Sequence, residues 1–154
     1  MRTTAAVISP NRSVSFVTDE IAALRVFVAD DHALYRRVVA GVVTRHPSLT
    51  LVGEADDGDT ALVGILTADP DVALLDLRMP GPDGLEVCRR IRAMDPDIAV
   101  VILTAFDDDD TPARARDAGA SACLGKDAGE DEICAALLLA GDSPGPPVRL
   151  GGSG

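Results

Sequence analysis

Five short runs of Val, Leu, Ile and Ala alternate with longer segments whose apolar residues return every three or four positions, and this alternation leaves the chain few ways to fold. The runs are Leu24 to Ala29, Leu49 to Ala55, Val72 to Leu75, Ile98 to Leu103 and a weaker one at Ala122 to Leu124. Continuous apolar runs of this length read as strands buried on both faces, with crossover helices between them. Right-handed crossovers put helices on both sides of a parallel sheet. The expected fold is α/β: a doubly wound, five-stranded parallel sheet of strand order 2-1-3-4-5 in a three-layer sandwich.

The helical segments differ in strength. Leu34, Tyr35, Val38, Val39, Val42 and Val43 are expected on the buried face of a first helix, with Arg36, Arg37 and Arg45 in water. Ala61, Leu62, Ile65 and Leu66 repeat the pattern behind Asp59, the expected N-cap. Leu85, Cys88, Ile91 and Met94 mark a third helix, and Ile133, Ala136, Leu137 and Ala140, closed by Gly141, mark the last. The fourth is weak. Asp107 to Asp110, Thr111 and Pro112 make a favourable helix start, but Ala113 to Gly119 bring little apolar surface, so a short or mobile helix is expected. Leu137, Leu138 and Leu139 together span about 200° of helix, more than one buried stripe can use. Burial beneath the residues that follow and a homodimer face are the two readings of that excess.

A chain of 154 residues can bury roughly 70% of its unfolded surface and needs no disulfide or metal staple. Its net charge of −11 argues against direct contact with nucleic acid, whose phosphates bind Lys and Arg. The three cysteines form no CxxC pair, a usage that fits a reducing cytoplasm. No stretch reaches the ~18 apolar residues of a membrane span, and no signal-peptide core follows Arg2. Residues 1–23 read as an N-terminal extension, 24–142 as the folded domain, and 143–154, rich in Gly and Pro, as a flexible tail or the start of an interdomain linker.

In an open parallel sheet, ligands bind beyond the carboxyl ends of the strands. There the first run ends in Asp30 and Asp31, the third in Asp76 and the fourth in Thr104, while Lys126 follows the fifth. A single strand-end Asp is more often a cap or turn residue than a ligand. Three carboxylates on one rim repel one another unless a cation sits among them, and an all-oxygen set selects a hard ion such as Mg²⁺. The cluster suggests a magnesium-assisted phosphoryl site.

Val28-Ala29-Asp30-Asp31-His32, the stretch Leu74 to Gly84, Leu103-Thr104-Ala105 and Lys126-Asp127 resemble the signature blocks of response regulator receiver domains of two-component systems, in wording closest to the NarL/FixJ-like branch. The resemblance spans residues 24–141 and implies a flavodoxin-like fold. It implies that Asp76 accepts a phosphoryl group from the phosphohistidine of a sensor histidine kinase. Asp31 and Asp76 would bind Mg²⁺ directly, Asp30 through water, and the main-chain carbonyl of Arg78 would add an oxygen. Lys126 and Thr104 would pair with phosphoryl oxygens. Such a protein is a signalling switch that acts catalytically only on itself, controlling an output domain or partner. Transcription is the expected output if the natural chain continues into a helix-turn-helix domain. A homodimer would use the fourth helix, fifth strand and fifth helix.

Pro80 and Gly84 read as shaping the loop after Asp76, His32 as opening the first helix, His46 as surface, and Cys88 and Cys134 as small hydrophobes. One departure bears on the switch: the family's aromatic three positions before the lysine is Cys123 here, and Gly125 replaces a bulky neighbour. Activation is then expected to rely on ordering of the fourth helix and movement of Thr104. A phosphatase of the haloacid dehalogenase type would want a second acid where Arg78 stands and its nucleophile on the first strand. A flavodoxin-like cofactor module would want Ser, Thr and Gly donors after the first strand, where the acidic pair lies.

Overall fold

A computed structural model of the chain describes residues 22–105 and 109–142. The expectations for residues 1–21, for Asp107 and Asp108 of the acidic run and for 143–154 fall outside the described residues. The elements alternate without exception: β1 (Leu24–Ala29), α1 (Ala33–Arg45), β2 (Leu49–Ala55), α2 (Gly58–Ala68), β3 (Val72–Asp76), α3 (Gly84–Met94), β4 (Ala99–Thr104), α4 (Thr111–Asp117), β5 (Ala122–Gly125) and α5 (Glu130–Asp142). Every strand pairing is parallel and the order is β2-β1-β3-β4-β5. The expected doubly wound sheet is the one that forms.

Strand alternation divides the apolar residues between two cores. Val26 and Val28 of β1 face Val39, Val42 and Val43 of α1 and Ile133 and Leu137 of α5. Phe27 and Ala29 face the other way, toward Ala61 and Ile65 of α2 and Leu85, Cys88 and Ile91 of α3. The central strands β3 and β4 are buried at every position, which is why their sequences carry no polar alternation until Asp76 and Thr104. Edge strand β2 exposes Thr50 and Glu54. Burial pushes the Cys88 thiol up to about 12, so this side chain behaves as an inert small hydrophobe.

Several local expectations are corrected. Leu34 and Val38 are 70% and 55% exposed, since the buried stripe of α1 centres on Val39, Val42 and Val43 and Leu34 lies about 180° around from Val43. Met94, at the last position of α3, is exposed, and Val87 is buried on that helix instead. Asp57, not Asp59, caps α2: its Oδ1 accepts from the Thr60 N–H at 2.7 Å, and Asp59 sits inside the first turn. Gly141 does not close α5, which runs on to Asp142. β4 begins one residue later than its apolar run and ends on Thr104; Asp76 and Gly125 each extend their strands by one.

The helix expected to be weak, α4, is seven residues long and buries only Thr111 and Ala115. Of the three leucines on α5, Leu137 is buried, Leu138 half-buried and Leu139 exposed. Among the described residues, no helix is long and apolar enough to cross a membrane.

Candidate functional site

The carboxyl end of the sheet is assembled from backbone contacts that fix each side chain in turn. Asp30, just past β1, donates its N–H to the Ala55 carbonyl at 3.0 Å, and its Oδ1 accepts from the His32 N–H at 2.8 Å. That turn starts α1 at once, with His32 as N-cap accepting from the Tyr35 N–H. Arg36, one turn on, donates to the Asp30 carbonyl at 2.8 Å and to Glu54 Oε1 of β2 at 3.2 Å. Arg36 was expected in water; it is half-buried because it ties the end of β1 to the edge strand.

Asp76 closes β3 and pairs in register with Leu103. The Leu77 N–H then donates to the Leu103 carbonyl, and the Gly84 N–H to the Leu77 carbonyl, both at 2.8 Å, so α3 starts against the end of the strand. Thr104 closes β4 opposite Gly125, and the Lys126 N–H donates to the Thr104 carbonyl at 2.8 Å. The four strand ends meet on one rim.

Side chains converge there. Lys126 Nζ lies 2.9 Å from Asp30 Oδ2 and 3.3 Å from Asp76 Oδ2. The approach to Asp30 Oδ2 is close but off the hydrogen-bond direction, so this buried oxygen gains charge attraction without an aligned donor among the described residues. Asp30 is 1% and Asp76 5% exposed, whereas Asp31 is open to solvent. One carboxylate oxygen from each of the three lies within 4.8 Å of the others.

Two acids share one ammonium in a largely dry place. Burial first, and the Asp30 charge second, raise the Asp76 carboxyl to about 7 against the pull of Lys126. Burial disfavours the charge on Lys126, but its contact with Asp30 and the Asp76 charge outweigh that and carry its pKa upward. Three oxygen donors with surplus negative charge, one of them buried without an aligned hydrogen-bond donor among the described residues, fit a hard divalent cation such as Mg²⁺.

The expected site residues Asp30, Asp31, Asp76 and Lys126 are thus brought together, with buried Thr104 on the neighbouring strand end. Arg78 stands two residues beyond Asp76 with its side chain exposed. His32 serves as a cap. Cys123, in the middle of β5, borders a cavity of about 220 Å³ against Pro112, Ala115 and Arg116 of α4. Sequence reasoning missed Tyr35, which was assigned to the core: its ring lies 4.7 Å below Lys126 Nζ. It also missed Arg36 and Glu54. No sequence signal pointed to this contact, because helical periodicity assigns Tyr35 to the buried face of α1 and Lys126 lies 91 positions further along the chain.

The family model described as the response regulator receiver domain matches residues 26–138. The chain is 39% identical over 116 residues to the response regulator GacA of Pseudomonas viridiflava, covering 75% of this chain and 54% of that protein. It is 42% identical over 115 residues to the probable transcriptional regulatory protein NarL of Mycobacterium tuberculosis, covering 75% and 53% respectively. The solved signal receiver domain of that NarL superposes with a TM-score of 0.77 at 39% identity, over 79% of this chain and 98% of the other. The chain spans about half the length of the curated relatives it matches.

Proposed function

The chain belongs to the response regulator receiver domain family of two-component signalling, and on that premise we propose that Asp76 accepts a phosphoryl group from a phosphohistidine of a sensor histidine kinase, switching the domain's conformation. The observation that carries this reading is the convergence of Asp30, Asp31, Asp76 and Lys126 on one rim of the sheet. An Asp76 carboxylate oxygen forms the new bond to phosphorus as the bond from phosphorus to the donor imidazole breaks, the electron pair leaving with nitrogen. Lys126, a mobile point cation, moves from the carboxylates to a phosphoryl oxygen, and Thr104 donates its hydroxyl to another. Asp31 and Asp76 would hold Mg²⁺ directly, Asp30 through water, and the Arg78 carbonyl would complete the protein's share. A bound Mg²⁺ offsets the negative charge of the transferring group, the main requirement of such transfers.

The same reading makes the protein a switch that phosphorylates and dephosphorylates only itself, in the cytoplasm. It places the receiver at residues 24–142, with an extension before it and a tail or linker after it. Transcription control through an output domain outside the matched stretch is supported by the NarL-type relatives, and the net charge of −11 speaks against direct DNA contact by this segment. Exposed Leu139 supports a homodimer face on α4, β5 and α5, which sedimentation with and without a phosphoryl mimic would reveal.

Acetyl phosphate supplies the test. Intact-mass measurement is expected to show one added phosphoryl group with Mg²⁺ and none when EDTA replaces it. Absence of any adduct overturns the proposal, and an adduct of equal yield in EDTA overturns the part assigned to the ion.

A further inference from the structure

Lys126 carries a compact charge on a four-carbon stem, and such a side chain is held only by what surrounds its tip. Among the described residues three groups do so: Asp30 Oδ2 at 2.9 Å, Asp76 Oδ2 at 3.3 Å and the face of the Tyr35 ring at 4.7 Å from its centroid. The two carboxylates are the residues that the proposed function commits to other partners. Once their oxygens turn to a divalent ion or to phosphorus, the ammonium loses part of its hold on them. The ring makes no such exchange, since its attraction comes from a fixed quadrupole.

We infer that Tyr35 is a positioning residue for Lys126: the ring face keeps the ammonium at the strand-end rim when the carboxylates are engaged, ready for a phosphoryl oxygen. This rests on the function proposed above. The Tyr35 backbone is fixed, because its N–H is bonded to the His32 cap and α1 begins directly after Asp30 and Asp31. The Tyr35 hydroxyl is buried without a hydrogen-bond partner among the described residues, so the ring and not the hydroxyl makes the contact with Lys126. Tyrosine at this place would be a poor choice for packing alone, since a buried orphan hydroxyl is destabilising. The chain's one lysine and one tyrosine, 91 positions apart in sequence, meet in this contact.

The test compares the parent with Tyr35→Phe, which keeps the ring face, and Tyr35→Leu, which keeps apolar bulk without it. For a largely buried ammonium such as Lys126, cation–π attraction of ~1–2 kcal/mol corresponds to a roughly 5- to 30-fold slower uptake of phosphate from acetyl phosphate in Tyr35→Leu. Tyr35→Phe should stay within about twofold of the parent, and Mg²⁺ should bind Tyr35→Leu no more weakly than the parent. Independently of activity, protein grown on ¹³C-lysine gives a single lysine spin system. Its ε-methylene resonance should be displaced upfield by the ring in the metal-free parent and in Tyr35→Phe, and return to the ordinary position in Tyr35→Leu or Tyr35→Met.

Uptake by Tyr35→Leu at the parent rate overturns the inference, as does an equal loss in Tyr35→Phe, which would assign the role to the hydroxyl. An undisplaced lysine resonance in the parent overturns it even if no leucine variant folds. Failure of the parent itself to take up phosphate would instead count against the function, and leave the resonance comparison to decide the ring contact.

Discussion

Replacing Asp76 by Asn is expected to stabilise the metal-free protein at pH 8 by about 2–4 kcal/mol, an advantage that shrinks as the pH falls below about 7. The cause is the crowding of two carboxylates around one ammonium: burial and the Asp30 charge hold the Asp76 carboxyl at about 7, against 3.8 for the free group. Because its pKa is raised on folding, the folded state binds the proton more tightly than the unfolded chain does. The stability from that proton is fully present below the ordinary carboxyl pKa and is lost as the pH rises through about 7. Asn keeps the shape and never ionises, so it removes the loss. Urea titrations of both proteins in EDTA from pH 5 to pH 8 check this, and equal pH dependence would contradict it. The variant should also take up no phosphoryl group, so that greater stability and lost function come from one atom change.

Gly84→Ala is expected to act in the opposite sense, destabilising by about 2–4 kcal/mol and weakening Mg²⁺ binding. Gly84 opens α3 directly against the end of β3: a Cβ there would overlap the main-chain oxygen of Asp76 and stand 3.0 Å from the Asp76 carbonyl carbon and the Leu77 Cα. These are backbone atoms in a buried strand end and cannot swing aside as a side-chain tip can. Gly84 is not among the positive-φ residues, so the demand is for room and not for an unusual backbone. Relief requires α3 to lift or Asp76 to shift, and a shift misplaces the carboxylate. Gly129 is the control: nothing lies within 4 Å of a Cβ built there, and Gly129→Ala should change stability by less than about 1 kcal/mol. Similar losses in the two variants would contradict the account.

The fold was legible because β1, β3 and β4 are buried on both faces or nearly so, which writes them as apolar runs, and because crossover handedness leaves one sensible layering. Strand ends were less legible: Ile98 is as apolar as the residues after it, yet its N–H bonds back to the Asp95 carbonyl, and the ladder starts at Ala99. The cap of α2 was misplaced by two because Asp56, Asp57 and Asp59 are chemically equivalent in sequence. What decides among them is tertiary: Gly58 begins the helix with its N–H on the Pro80 carbonyl, 2.9 Å away, where a Cβ would overlap the Pro82 oxygen.

Acidic groups of the site could be found from strand ends alone, since the carboxyl rim of a parallel sheet is fixed by topology. Arg36 and Tyr35 could not, because a helical wheel assigns them to water and to core without knowing what crosses above α1. Lys126 arrives there from the far end of the chain.

The central claim concerns one carboxyl oxygen, and chemical mapping tests it most directly. Borohydride reduces an aspartyl phosphate to homoserine, so protein treated with acetyl phosphate and Mg²⁺, then reduced and digested, reveals where the phosphoryl group had been. Homoserine at position 76 and at no other is the expected result; homoserine at Asp30 or Asp31, or none at all, would contradict the account.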